Sequence, residues 1–359
     1  MNGRGHDPVL DCRALTVGYG AEPVLSDLDL TVARAETVAL LGPSGSGKTT
    51  LLYTIAGFLR PSSGEIWIAG TPVHAPGQEV PPEARDVGVV FQHYALWPHL
   101  SAVETVAYPF RRIGMAEGEA RRRAQALLET MGIGELAARR PAELSGGQQQ
   151  RIGLARALAR NAGLYLFDEP TAHLDAALRT ALQAEVVQRR GDAGAAALYA
   201  THDAGEALAV ADRVVLLQGG RIVQIGSPAD IYERPVDVWA ARLTGPASVI
   251  EVDVTGTSPR GLRMRVAGDD VVVSDATAAP GRYMALVRPD WAALGGPLAG
   301  RMMHAWYRGP HTDYRVQTAA GDVVLRGSGP PRARPGEPVD WRLDRVHLIN
   351  AEDHGRSER

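Results

Sequence analysis

The sequence predicts an α/β domain on a largely parallel sheet, with a helical block inserted into it, followed by a small all-β domain. Three observations carry this reading. Short β-rich runs alternate with helical patterns up to about residue 235, the order that builds a parallel sheet with crossover helices. Between about residues 93 and 160 the pattern turns helical, which reads as an inserted subdomain. Beyond residue 246 the chain breaks into short strand-like runs separated by Gly, Pro, Asp and Ser, as in a small barrel or sandwich.

Each element follows from its residues. "TVALLG" (37–42) is a buried strand that enters "PSGSGK", and "TTLLYTIAGFL" after it reads as a helix. "EIWIAG" (65–70) and "VGVVF" (87–91) are further strands. "EGEARRRAQALLETM" (117–131) is a helix with Arg-rich and Ala-rich faces. "AGLYLF" (162–167) returns to strand, "AALRTALQAEVVQRR" (176–190) to helix, "AAALYAT" (195–201) to strand and "DAGEALAVA" (203–211) to helix. The predicted domains are 8–235, a linker at 236–246, and a β domain at 247–350 carrying runs such as "VIEVDVTG", "LRMRVAG", "DYRVQTA" and "DVVLRG". Residues 351–359 read as a disordered polar tail.

Composition narrows the function classes. The 359 residues are 45 % hydrophobic and 22 % charged, the balance of a globular protein. A net charge of -3 argues against a nucleic-acid binder held by bulk electrostatics. The single cysteine, Cys12, forbids an internal disulfide and suits a reducing compartment. The N-terminal stretch "MNGRGHDPVL" lacks the apolar core of a secretory signal, and no apolar run approaches the ~18 residues that span a bilayer. Work at a membrane is therefore expected to go through a partner.

Two stretches carry phosphate chemistry. "GPSGSGKTT" (42–50) fits G-x-x-x-x-G-K-[ST] in its required context, a buried strand before and an apolar helix after. Backbone N–H groups of such a loop surround a phosphate, and the helix start adds a favourable dipole. Lys48 is expected to reach the β- and γ-phosphates, and the Thr49 hydroxyl to bind Mg²⁺. "LYLFDEP" (164–170) ends a strand with adjacent carboxylates, which strand alternation would send to opposite faces. Asp168 is the candidate Mg²⁺ ligand and Glu169 the candidate general base toward water.

A third stretch, "LSGGQQQR" (144–151), opens a helix with two glycines and three glutamines. Glycine is a poor helix former and a polar run buries no core, so this start is built to stay open to something outside. Ser145, Gly146 and Gly147 leave backbone N–H groups available there, as an anion site requires.

Together these residues resemble the ATP-binding subunit of an ABC transporter, over nearly the whole chain. The resemblance implies an α/β P-loop NTPase domain with a mixed sheet and inserted helical subdomain, then a barrel-like OB/TOBE domain. It implies ATP and Mg²⁺ as ligands, with Gly42, Pro43, Ser44, Gly45, Ser46, Gly47, Lys48, Thr49 and Thr50 as the phosphate loop. Tyr19 in "VGYG" matches the aromatic that stacks on adenine. Gln92 matches the Q-loop glutamine, which contacts Mg²⁺ and the water, and His202 in "YATHD" the switch histidine at the γ-phosphate. Ser145, Gly146, Gly147 and Gln148 match the "LSGGQ" that binds ATP held by a second copy, and Asp175 the D-loop aspartate at that interface. Two phosphate-binding helix starts in one domain then imply a head-to-tail dimer with each nucleotide between Lys48 of one copy and Ser145 of the other. Two departures stand out. The D-loop reads "TAHLD", with His173 where a small residue is expected, and the switch segment reads "THDAGEAL" where "THDQEEAL" is commoner.

The resemblance is to importers. "YALWPHLSAVETVAYPF" (94–110) is similar to the segment that receives a coupling helix from the membrane subunit, with Leu96, Trp97 and Val103 as groove residues. "ALVRPDWAAL" (285–294) and "AWYRGPHTDYRV" (305–316) are similar to the "RPE" strand and hairpin of the TOBE domain. Expected partners are a second copy, two integral membrane permease subunits and, indirectly, a substrate-binding protein, with no nucleic acid. The expected place is the cytoplasmic face of the cell membrane. The solute, set by other subunits, is expected to be small and charged, of the ferric iron, polyamine or thiamine group. An exporter subunit would share every ATP-site motif but usually lacks the β domain. A non-transport ABC protein typically carries two cassettes, whereas one phosphate loop and one "LSGGQ" are present.

Overall fold

The computed structural model describes residues 8–20, 22–91, 94–160, 162–171, 194–274 and 277–350. It divides into two compact units, Met1–Pro228 and Ala229–Arg359.

The first unit holds two sheets and a group of helices. Strands β1 (Leu10–Gly18), β2 (Pro23–Val32), β4 (Ser63–Ile68), β5 (Thr71–Ala75) and β6 (Gln78–Glu79) form an antiparallel sheet in the order β2-β1-β4-β5-β6. Strand β3 (Thr37–Leu41) instead lies in a six-stranded sheet with β7 (Val87–Val90), β8 (Leu164–Asp168), β9 (Ala196–Thr201), β10 (Arg213–Gln218) and β11 (Arg221–Gly226). Its order is β11-β10-β3-β9-β8-β7, and only the β10–β11 pair is antiparallel. All residues of β3, β8 and β9 are buried, which explains why they read as continuous apolar runs rather than alternating ones. The antiparallel sheet goes beyond the single parallel sheet that the sequence pattern suggests. In β1 and β2 buried and exposed positions interleave, broken by irregular register, so neither gives a continuous apolar run.

Helix α1 (Lys48–Ala56) follows the glycine-rich loop and packs into the main core beside β3. Its far end is held by Arg85, which is 1 % exposed and donates to the carbonyls of Thr54 (2.9 Å) and Ile55 (2.8 Å) in the last turn. A cation satisfying the final carbonyls of a helix also complements the negative end of its dipole. The expected helical subdomain comprises α2 (Ala102–Arg112), α3 (Glu117–Thr130) and α4 (Gly146–Leu158) around their own core, with Val106, Leu128 and Ile152 at 0 % exposure. A capping box between Ser101 and Glu104 sets the start of α2. Helix α5 (Ala204–Val210) follows β9 and is capped by Asp203. The helix expected at 176–190 lies outside the described residues.

The second unit begins with two short helices, α6 (Pro228–Glu233) and α7 (Val238–Thr244), the latter capped by the Asp237 side chain accepting from the Ala240 N–H at 2.7 Å. Helix α7 thus occupies the segment 236–246 that composition marks as a linker. Its Val238 and Ala241 belong to the core of the β unit. Arg288, fully buried, fixes it there, donating to the carbonyls of Tyr232, Ala241 and Gly245 and to the Thr244 hydroxyl.

Strands β12 (Ser248–Ser258), β13 (Gly261–Val266), β14 (Asp269–Val273), β15 (Gly281–Val287) and β20 (His347–Asn350) form one antiparallel sheet. Strands β16 (Ala292–Tyr307), β17 (His311–Thr318), β18 (Gly321–Ser328) and β19 (Pro338–Leu343) form another. Inward residues alternate along β12 and β13 and join Trp291, Tyr314 and Trp341 in one core shared by the two sheets. The hairpin expected in "AWYRGPHTDYRV" joins β16 to β17 and turns through Gly309 at φ 87°.

Cys12 is 1 % exposed on β1, and burial beside Asp11 and Asp29 pushes its thiol pKa strongly upward. The thiolate is the reactive form, so the folded protein is expected to resist alkylation by iodoacetamide and to react only when the first unit unfolds. Rapid labelling without denaturant would contradict this burial.

Candidate functional site

The phosphate-loop motif lies where β3 ends. Gly42 leaves the strand at a point where a Cβ would lie 2.3 Å from the Leu217 carbonyl oxygen, so no side chain fits. Gly45 (φ +80°) and Gly47 (φ +104°) take left-handed conformations that turn the backbone around the loop. Gly47 is also the N-cap of α1, where no side chain caps the helix and no acidic residue sits in the first turn. The start of α1 is therefore open to an anion. The Ser46 hydroxyl is buried in this loop and has no hydrogen-bond partner among the described residues. An open amide cradle with an unsatisfied hydroxyl fits a polyphosphate.

Lys48 is 5 % exposed, and its ammonium donates to the carbonyls of Gly42 (2.8 Å) and Pro43 (3.0 Å). Burial lowers its pKa, and the negative charges of Glu169 and Asp168 oppose that shift. Thr49 donates its hydroxyl to Asp168 Oδ1 at 2.9 Å, joining the loop to the end of β8. Asp168 is wholly buried. A hydroxyl and a carboxylate this close form the hard-oxygen donor set a Mg²⁺ beside a polyphosphate takes.

Glu169 follows Asp168 directly, but the two are separated by more than strand alternation. β8 stops at Asp168, and Glu169 adopts φ 47°, a left-handed conformation that costs a non-glycine residue about 1–2 kcal/mol. Its N–H donates to the Ala200 carbonyl on β9 (2.9 Å), and its Oε1 lies 3.1 Å from His202 Nδ1. The sheet register makes this meeting possible. Leu41 of β3 lies opposite Thr201 of β9, and Asp168 of β8 opposite Ala200, so residues 42, 169 and 202 leave the sheet side by side at the C-terminal ends of these strands.

The "LSGGQ" stretch forms a second helix start, that of α4. Ser145 is its N-cap in a reciprocal capping box. The Ser145 N–H donates to Gln148 Oε1 at 2.9 Å, and the Gln148 N–H to Ser145 Oγ at 3.4 Å. The Gln148 side chain is thus engaged at its own helix. A Cβ on Gly146 or Gly147 would meet nothing within 4 Å, so the face is open on the outside. Tyr19 is 64 % exposed after β1. Pro43 and Ser44 are exposed at the loop tip, while Thr50 is buried in α1. Gln92, His173 and Asp175 lie outside the described residues.

The sequence pattern does not reveal one buried carboxylate near the site. Glu206 on α5 accepts from the Thr171 hydroxyl and, at 2.9 Å, from the Thr201 hydroxyl, so it ties the segment after Glu169 to the strand before His202. The only trace in the sequence is D-x-x-E in "DAGE", a helix-start pattern that points to capping and not to this bridge.

Comparison with known proteins agrees with this geometry. Residues 25–172 match the family described as ABC transporter, and residues 285–349 match the TOBE domain. The Fe(3+) ions import ATP-binding protein FbpC of Rhizobium etli is 40 % identical over 311 residues, covering 86 % of this chain and 87 % of that protein. This chain belongs to the ATP-binding subunits of ABC transporters. It is an ABC ATPase of the importer type, an ATP-binding cassette followed by a TOBE domain. The spermidine/putrescine import ATP-binding protein PotA of Methylococcus capsulatus is 41 % identical over 321 residues, covering 87 % of this chain and 82 % of that protein. Among solved structures, the cassette MJ0796, described as dimeric in a post-hydrolysis state with ADP and Pi, superposes with a TM-score of 0.55 at 29 % identity. It covers 61 % of this chain and 98 % of its own. CbiO1 of Clostridium perfringens, part of the transporter complex cbiONQ, superposes with a TM-score of 0.56 at 28 % identity, covering 63 % of this chain and 91 % of its own.

Replacing Ser145 removes one half of the capping box. Ser145→Ala is expected to destabilise the first unit by about 1 kcal/mol, read as a lower urea midpoint with an unchanged slope. An unchanged midpoint would mean that the cap contributes nothing to α4.

Proposed function

We propose that two copies of this chain drive an importer by closing head to tail around two ATP molecules, each held between the phosphate loop of one copy and the Ser145–Gln148 helix start of the other. The observation that carries this reading is the coincidence, at the C-terminal ends of β3, β8 and β9, of the Lys48 loop, the Thr49–Asp168 bond at 2.9 Å and the Glu169–His202 pair at 3.1 Å. A phosphoryl-transfer site needs that grouping: a cradle for the phosphates, a hard-oxygen pair for a cation, and a base beside it.

In this reading the loop amides of Gly45 to Thr50 and the Lys48 ammonium neutralise the phosphates, and Lys48 gives up its carbonyl partners to do so. Thr49 and Asp168, with Gln92, would hold Mg²⁺, which would supply charge neutralisation beside the phosphates. Tyr19, whose ring is exposed, stacks on adenine. Glu169 takes a proton from the attacking water. His202 holds that carboxylate in place and reaches toward the γ-phosphate. Ser145, Gly146 and Gly147 of the second copy offer their open helix start to the same phosphate. ATP contacts both surfaces only when they meet, so it shifts the population toward the closed pair, and hydrolysis releases it.

The membrane partners dock, in this reading, on residues 94–110. Trp97 and Tyr108 meet there at a tilt of 54°, with ring centroids 4.9 Å apart, and Tyr108 is 38 % exposed. This suits an apolar helix laid into a groove. In this reading the permease subunits hold the chain at the cytoplasmic face of the membrane. The solute is a small charged species delivered by a binding protein. Relatives named for import of Fe(3+) ions and of spermidine/putrescine support ferric iron or a polyamine.

Glu169→Gln is expected to lower ATP turnover in the assembled transporter by about 10²–10⁴ while retaining bound ATP. Turnover at the wild-type rate would remove Glu169 from the role of base. Lys48→Ala is expected to abolish ATP binding or turnover, and full activity in a radiolabelled-ATP assay would sink the phosphate-loop assignment. For the solute, ferric iron and spermidine are compared as stimulants of ATPase activity in the complex with its binding protein. Stimulation by neither would reject the proposed solute class.

A further inference from the structure

One buried cation in the first unit plays no part in the nucleotide chemistry above. Arg156 lies near the end of α4, ten residues beyond Gly146 and about 15 Å along the helix from it. It is 8 % exposed and forms no ion pair among the described residues. Burial alone lowers its pKa to about 10. A guanidinium without a carboxylate is costly to bury, so its hydrogen bonds must account for it. They run to one place. One terminal nitrogen donates to the Ala95 carbonyl (2.6 Å) and the other to the Tyr94 carbonyl (3.1 Å).

Those two carbonyls belong to an unusual turn. Tyr94 (φ 60°) and Ala95 (φ 45°) are successive non-glycine residues in the left-handed region, which such residues rarely visit. Two further contacts fasten the turn to α4. Gly153 brings the helix close to it, since a Cβ there would lie 3.4 Å from the Tyr94 carbonyl oxygen. The Arg156 guanidinium also sits 5.2 Å from the Trp97 ring centroid and 5.9 Å from that of Phe91. This is cation–π range on both sides of the turn.

We propose that Arg156 is a positioning residue whose two-pronged grip on Tyr94 and Ala95 binds the segment bearing Leu96 and Trp97 to α4, so that this segment and the helix start at Ser145 move as one rigid piece. The functional weight of the two ends rests on the reading given under the proposed function. Given that reading, displacement of Trp97 by a membrane partner is carried along one helix to the second nucleotide surface. Arg suits this task because its planar fork meets two carbonyls at once, whereas a lysine ammonium presents no such fork.

The test uses the full chain, alone and in the complex co-purified with its membrane subunits. In Arg156→Met, amides of Ala95, Leu96 and Trp97 are expected to exchange hydrogen at least about tenfold faster than in the wild type, while those of β3 and β9 keep their rates. In the complex, kcat for ATP is expected to fall about tenfold with KM changed by less than about twofold. Arg156→Lys should fall between the two in both measurements, and it carries the same readouts if Arg156→Met does not fold. Unchanged exchange at residues 95–97 would overturn the proposal. So would exchange accelerated equally in β3 and β9, which marks a general packing role, or a raised KM with kcat intact. A wild-type complex that hydrolyses no ATP would refute the proposed function, while the exchange result would still decide the grip.

Discussion

The parallel register of β3, β9 and β8 is the constraint on which the rest of the first unit depends. With Leu41 opposite Thr201 and Asp168 opposite Ala200, three segments distant in the chain leave the sheet side by side. The glycine-rich loop, the Glu169 turn and His202 need no long side chains to meet, because the strands have already delivered them to one end of the sheet. A slip of one residue in either pairing would carry the residue that follows the moved strand about 3.3 Å along the strand direction, out of reach of its neighbours. The uninterrupted apolar composition of these strands, buried on both faces, keeps them in the centre of the sheet where such pairing is protected.

What could be read from the sequence was local. "GPSGSGKTT" carries its loop and helix start within nine residues, and each special backbone position is marked by a glycine. The open start of α4 was equally visible, since Ser145 and the two glycines are adjacent. Contacts made between distant segments were not. The expectation of one shared Mg²⁺ brings Thr49 and Asp168 together across 119 residues, but their direct hydrogen bond is not written in either residue type. The left-handed turn at Glu169 was hidden because no glycine marks it and the surrounding sheet holds it in place. Likewise β1 and β2 were missed, because interrupted alternation is a weaker signal than a solid apolar run.

Buried arginines recur at the joints of this chain. Arg85 closes the last turn of α1, Arg156 grips the turn after Phe91, and Arg288 fastens α7. Each gives most of its hydrogen bonds to backbone carbonyls. Carbonyls at helix ends and in irregular turns have no partner within their own element, and one guanidinium can satisfy several of them at once. Such a residue reads in the sequence as ordinary surface charge. Its burial follows from the fold and not from composition, which is why these three positions carry structural information that pattern reading does not recover.

The anchoring of α7 by Arg288 changes where the C-terminal module begins as a heritable piece. Composition puts the seam after residue 246, yet Val238 and Ala241 are part of the β unit's interior, and the guanidinium that holds them comes from the end of β15. Gene fusion or shuffling at the apparent seam would separate a helix from the interior it helps to fill. The compact unit starts at Ala229, so a cut made at the composition break would take α7 away from the β strands whose core it completes.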